Sequence, residues 1–113
     1  MELKPRKLEN YIARNGKKPF REWLDRLHEN VQVQIRKRLV RLGMGDFGDS
    51  KHIESGMYEL RIHFGPGYRV YVGSDGDLIV ILLLGGDKST QETDIKKALK
   101  HWYEYKERKI STN

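Results

Sequence analysis

Residues 57–86 read MYELRIHFGPGYRVYVGSDGDLIVILLLGG, and their periodicity decides the fold. In the first eight residues Tyr58, Leu60, Ile62 and Phe64 point one way, and Glu59, Arg61 and His63 the other. That period of two is the signature of a β-strand. Gly65-Pro66-Gly67 turns the chain, and the alternation resumes with Tyr68, Val70 and Val72 on one face and Arg69 and Tyr71 on the other. SDGD at 74–77 is a hairpin signal. Leu78–Leu84 has no polar side, which predicts a fully buried central strand.

Upstream the period changes. Phe20, Trp23, Leu24 and Leu27 lie at i, i+3, i+4 and i+7, with Pro19 suited to a helical first turn. Val31, Ile35, Leu39 and Leu42 make a second helical stripe, with Asn30 as its predicted cap and Gly43 and Gly45 as its end. These two segments predict an antiparallel helical hairpin. In LENYIARNG at 8–16 the alternation of Tyr11 and Ala13 with Ile12 and Arg14 predicts a short opening strand and Asn15-Gly16 a turn, and residues 43–56 read as a polar, glycine-rich loop. From Ser89 a last helix is predicted, with Ser89 and Glu92 at capping-box spacing and Ile95, Ala98, Leu99 and Trp102 as its core face. The tail from Glu107 is predicted to fray.

The predicted order is strand, two helices, three strands, helix. That is an α+β fold: an antiparallel sheet, made of the N-terminal strand and a C-terminal three-stranded meander, packed on the helical hairpin. Its 113 residues suit one domain, 1–113, able to bury a core without disulfides. There is no cysteine, hence no thiolate nucleophile and no cysteine-based zinc site. No metal spacing or phosphate-loop motif is present, and neither a metal nor a cofactor is expected. The amino terminus lacks a signal-peptide core, and the longest apolar run is too short to span a membrane, so a cytoplasmic protein without membrane partners is expected. A net charge of +6 and a pI near 9.6 favour phosphates or an acidic protein as partners.

The polar side of the sheet carries the chemistry. Glu59, Arg61 and His63 should lie across from Arg69 and Tyr71, with Lys88 and a helix amino terminus close by. An exposed sheet face ordinarily carries mixed charges, and surface ion pairs are worth only ~0–1 kcal/mol. Cations converging beside acid–base groups are, however, what cleavage of a ribose phosphodiester needs. A base takes the 2′-hydroxyl proton, cations hold the charge on phosphorus, and an acid protonates the leaving 5′-oxygen. The nucleophile is internal, so a metal is not required. Arg69 and Arg61 are the candidate phosphate ligands, Glu59 the base and Lys88 the leaving-group cation. His63 and Tyr71 are candidates to stack on or orient a base, and Arg36 and Lys37 on the second helix are further RNA contacts. Read as a surface residue, Arg69 could be lost at a stability change within ~0.5 kcal/mol.

PFREWLDRL, MYELRIHFGPGYRVYVG and above all LLLGGDKSTQETDIKKALKHWYEY resemble the RelE/ParE superfamily of toxins from type II toxin–antitoxin modules, nearest to the HigB-like addiction module killer branch. The resemblance runs over residues 7–107. It implies the RelE fold and a metal-independent endoribonuclease that cleaves mRNA in the ribosomal A site and stops translation. The ParE branch, which inhibits DNA gyrase, and a non-catalytic binding member of the fold are the alternatives. The resemblance places site residues at Glu59, Arg61, Arg69 and Lys88. It implies a cognate antitoxin, of helix-turn-helix, HigA-like type. Two departures stand out: Glu59 occupies the place of a RelE-type lysine, and Asp94 lies near where a tyrosine is usual.

Overall fold

The computed structural model describes residues 3–111. The elements are β1 (Lys7–Asn10), α1 (Pro19–Asp25), α2 (Glu29–Gly43), β2 (Ser50–Glu54), β3 (Met57–Ile62), β4 (Tyr68–Asp75), β5 (Ile79–Asp87), a 3-10 turn (Lys88–Thr90) and α3 (Gln91–Ser111). The class is α+β, with a five-stranded sheet in the order β1-β5-β4-β3-β2. Among the described residues no helix is long and apolar enough to cross a membrane.

The period-two stretch forms β3, β4 and β5 as antiparallel neighbours. The sheet as a whole is mixed, because β1 runs parallel to β5, with Lys7 opposite Ile79 and Asn10 opposite Leu82. Parallel pairing needs a long crossover, and the chain between β1 and β5 supplies one. β4, not β5, is the middle strand. Leu78 lies in the turn and is 69% exposed, so burial of the apolar run starts only after it.

The glycine-rich segment conceals a strand. Ser55 (φ 52°) and Gly56 (φ 85°) both take the left-handed conformation. That pair is the two-residue turn that best matches strand twist, and it pairs β2 with β3. β2 lies at the sheet edge, where polar side chains are normal. Its polarity therefore hid it, while Ser55-Gly56 was the available signal.

Both faces of the sheet are covered, which period two does not predict. On one face Leu60, Ile62, Val70, Val72, Val80 and Leu82 pack with Phe20 and Leu24 of α1 and Val31, Ile35 and Leu42 of α2. On the other, Met57, Tyr71, Ile81 and Leu83 pack with Tyr11 and with Ala98 and Trp102 of α3. The helical hairpin is only partly realised: α1 is a seven-residue helix that packs chiefly on β5. Asn30 lies inside α2, whose cap position is His28. Asp87, not Ser89, caps the turn before α3, its carboxylate accepting from the Ser89 amide at 2.8 Å. α3 continues to Ser111, so residues 107–111 are helical rather than frayed, while 112–113 lie outside the described residues.

α3 sits close because β4 offers a glycine. A Cβ on Gly73 would lie 2.3 Å from the Trp102 ring. Trp102 is pinned in turn by its Nε1, which donates to the Ser55 carbonyl at 2.7 Å. Gly73→Ala is therefore expected to destabilise the protein by about 1–3 kcal/mol through overpacking, read as a lower urea midpoint at unchanged slope. An unchanged midpoint would show that α3 moves freely on the sheet.

Candidate nucleic-acid interface

The β3–β4 connection and the end of β5 meet in space. Gly65 and Gly67 take positive φ around Pro66, and the Lys88 amide donates to the Gly67 carbonyl at 3.2 Å. That bond draws Lys88 back to the hairpin. An open cleft of about 340 Å³ results, lined by Arg61, His63, Pro66, Tyr68, Arg69 and Lys88 among others. The same sheet face that α3 covers further along is open here.

Arg61 and Arg69 stand directly opposite each other on β3 and β4. Like charges in that position repel. Glu59 lies between them, its Oε1 3.3 Å from the Arg61 Nε and 3.6 Å from the Arg69 Nε. Its Oε2 accepts from the Gln91 Nε2 at 2.9 Å. Glu59 is wholly buried, whereas the Arg69 side chain keeps 15% of its exposure and that of Arg61 37%. The Arg69 Nε is buried without a hydrogen-bond partner. One carboxylate thus serves two guanidiniums, and Lys88 stands exposed beside them.

Burial corrects two expectations. Glu59 lies beneath the cleft, held by three side chains, rather than open to a substrate. Tyr71, opposite Glu59 on β4, is fully buried under α3 and presents no ring for stacking. Desolvation, with the negative charge of Glu59 next, pushes its phenol well above the ordinary value. Arg69, too, is mostly buried, with a buried partner, so it is not the surface residue that alternation suggested.

His63 is exposed at the cleft, its Nε2 2.5 Å from the Asp49 Oδ2. The hydrogen bond to His63 is the main cause that holds the Asp49 carboxyl below its ordinary range. An ionised Asp49 requires an N–H at Nε2, which leaves the Nδ1 lone pair of a neutral imidazole free as an acceptor. Asp49 lies in the segment read from sequence as loop. Nothing in its spacing from His63 marked it, because the pairing of β2 with β3 brings the two together.

A second, smaller cleft of about 260 Å³ adjoins the first and shares Arg61, Ile62 and His63 with it. α2 lines it with Gln34, Lys37, Arg38 and Arg41. Lys37 thus joins the site, whereas Arg36 is exposed on α2 but is not among the residues lining either cleft. Among the described residues no three histidine, aspartate or glutamate side chains cluster as a metal site.

The family model described as "Phage derived protein Gp49-like (DUF891)" matches residues 22–102, from α1 to α3. An uncharacterized protein of Haemophilus influenzae is 49% identical over 80 residues, a span of 70% of this chain and 81% of that protein. The matched region contains Asp49, Glu59, Arg61, His63, Arg69 and Lys88.

Proposed function

Because this chain belongs to the phage-derived Gp49-like family, a toxin-like addiction-module family related to RelE and HigB, we propose that it is a RelE-fold endoribonuclease that cuts mRNA on the ribosome. Membership of a toxin–antitoxin family implies a cognate antitoxin, and we place a helix-turn-helix, HigA-like protein in that role. One observation carries the nuclease reading. Two opposed arginines that line a cleft share a single carboxylate buried beneath it, with Lys88 added. That excess of positive charge is what a developing phosphorane dianion needs, and cations placed opposite each other on neighbouring strands repel unless an anion joins them.

The roles follow from exposure. Arg61 and Arg69 take the non-bridging oxygens of the scissile phosphate. His63, oriented by Asp49, accepts the 2′-hydroxyl proton at Nδ1. The 2′-oxygen–phosphorus bond forms and the phosphorus–5′-oxygen bond breaks, with Lys88 stabilising or protonating the departing oxygen. The products are a 2′,3′-cyclic phosphate and a 5′-hydroxyl. Glu59, buried, acts by positioning the two arginines, and the part of base passes from it to His63.

Controlled expression in a bacterial host is expected to arrest growth, with primer extension showing mRNA cuts in register with codons. His63→Ala should fold normally, since its side chain is 77% exposed, yet cut 10²–10⁴-fold more slowly, the usual worth of a positioned base. Growth arrest with intact mRNA, DNA breaks and an induced damage response would instead establish gyrase inhibition and overturn the nuclease reading.

A further inference from the structure

Arg38 is unusual on α2. It occupies the buried side of the helix, spaced with Val31, Ile35 and Leu42, and is 7% exposed. Its Nη2 donates to the carbonyl of Phe47 and, at 3.1 Å, to that of Asp49. Its Nη1 is buried with no hydrogen-bond partner. Within 4 Å it forms no ion pair among the described residues. Desolvation, followed by repulsion from Arg41, destabilises its charged form, and the more distant Asp46 and Asp49 offset this only in part. A guanidinium does not lose its proton in proteins, so the positive charge stays, buried and without a direct counter-ion.

That charge borders the second cleft. Gln34, Lys37, Arg38 and Arg41 fall at i, i+3, i+4 and i+7, one stripe of α2, and face Arg61 and His63 across the cleft. Asp49 also lines it but is engaged by His63, and Asp46 takes Arg41 at 2.9 Å. Gly48 takes φ 58°, which favours glycine, and a Cβ there would lie 2.8 Å from the Arg38 guanidinium and have to displace it. The loop is thus shaped to admit this side chain.

We propose that the second cleft is an anion subsite for a backbone phosphate of single-stranded nucleic acid, one that flanks the phosphate held by Arg61 and Arg69. This rests on the nuclease reading for the identity of the strand. Arg38 supplies a fixed, dry cation, Lys37 a flexible one, and Arg41 one that Asp46 holds at 2.9 Å. Arg61, common to both clefts, joins them into one track. A substrate with one phosphodiester fills only the first cleft, whereas a longer one engages both.

The test uses the intact protein and 2′-O-methyl RNA, which cannot be cut. A tetranucleotide is expected to bind the Lys37→Ala/Arg41→Ala variant about tenfold more weakly than wild type, while a dinucleotide changes less than twofold. The salt dependence of tetranucleotide binding should flatten by about 0.7 for each phosphate that the variant no longer neutralises. Both replaced side chains are exposed, and an unchanged near-ultraviolet circular dichroism spectrum checks the fold. Equal losses for both lengths, no loss, or no tetranucleotide binding would overturn the subsite. A second arm titrates inorganic phosphate and follows the ¹⁵N side-chain signals of Arg38. A silent Arg38 would overturn the subsite even in an enzyme that cuts mRNA. A shifted Arg38 with length-dependent binding, in a protein that cuts no RNA, would keep the subsite and reject the nuclease.

Discussion

Arg69→Ala is expected to lower mRNA cleavage on the order of 10²-fold or more, by analogy with removal of one preorganised donor from an oxyanion site. The side chain comes from the middle strand of the sheet, is largely buried, and leans on a wholly buried carboxylate. Such a cation is fixed before the phosphate arrives, so it stabilises the developing charge without reorganisation. The same burial gives the change a structural effect. Glu59 would keep Arg61 and Gln91, so losing its 3.6 Å ion pair with Arg69 should cost less than the ~3–5 kcal/mol of leaving a buried charge unpaired. Arg69→Lys retains the charge but not the planar fork, and should restore activity only in part. Urea melts measure the structural effect, and cleavage in a purified translation system the catalytic one. A folded Arg69→Ala protein of full activity would remove this residue from the mechanism.

Glu59→Ala should have the largest effect on stability. It removes the carboxylate shared by two opposed arginines, one of them mostly buried. Breaking a buried ion pair from one side costs about 3–5 kcal/mol, because the remaining charge stays dry and unpaired. Arg61, more exposed, can turn to water, which places the expected value toward the lower end. Glu59→Gln separates two possible roles. The amide keeps the shape and can still accept from Arg61, so a positioning residue should retain activity within about tenfold. A general base cannot be replaced by an amide. If Glu59→Gln is as inactive as Arg69→Ala while folding and binding RNA normally, Glu59 is the base and His63 is not.

The family match gives the site its context, and the proposed roles are argued from its geometry. The positions that the nuclease reading uses come from β3, the β3–β4 connection, β4, the turn after β5 and the loop before β2. Hairpins join β2 to β3, β3 to β4 and β4 to β5, while Gln91 at the start of α3 ties Glu59 to the helix. A mutation that loosens α3 at Gly73 or Trp102 should therefore disturb the arginines indirectly, through Gln91 and Glu59.

Local periodicity in the sequence was enough for the β3–β4–β5 hairpins, for the apolar stripes of α1, α2 and α3, and for the gathering of Arg61, His63, Arg69 and Lys88 at one end. Each of those features depends on neighbours in the chain or on a tight turn, so residue order alone determines it. Three others did not follow from that periodicity, and the last of them was decided only by tertiary structure. β2 is an edge strand whose polar side chains look like loop, and its pairing depends on β3. Asp49 reaches His63 only through that pairing. Whether the second sheet face meets water or a helix cannot be read from alternation, because Glu59, Arg61, Arg69 and Tyr71 fit an exposed face equally well. α3, laid across it at Gly73, buries Glu59 and Tyr71 and leaves the end beyond its amino terminus open. That single long-range contact divides one polar stripe into a buried support and an exposed site, and turns an expected base into the anchor of two arginines.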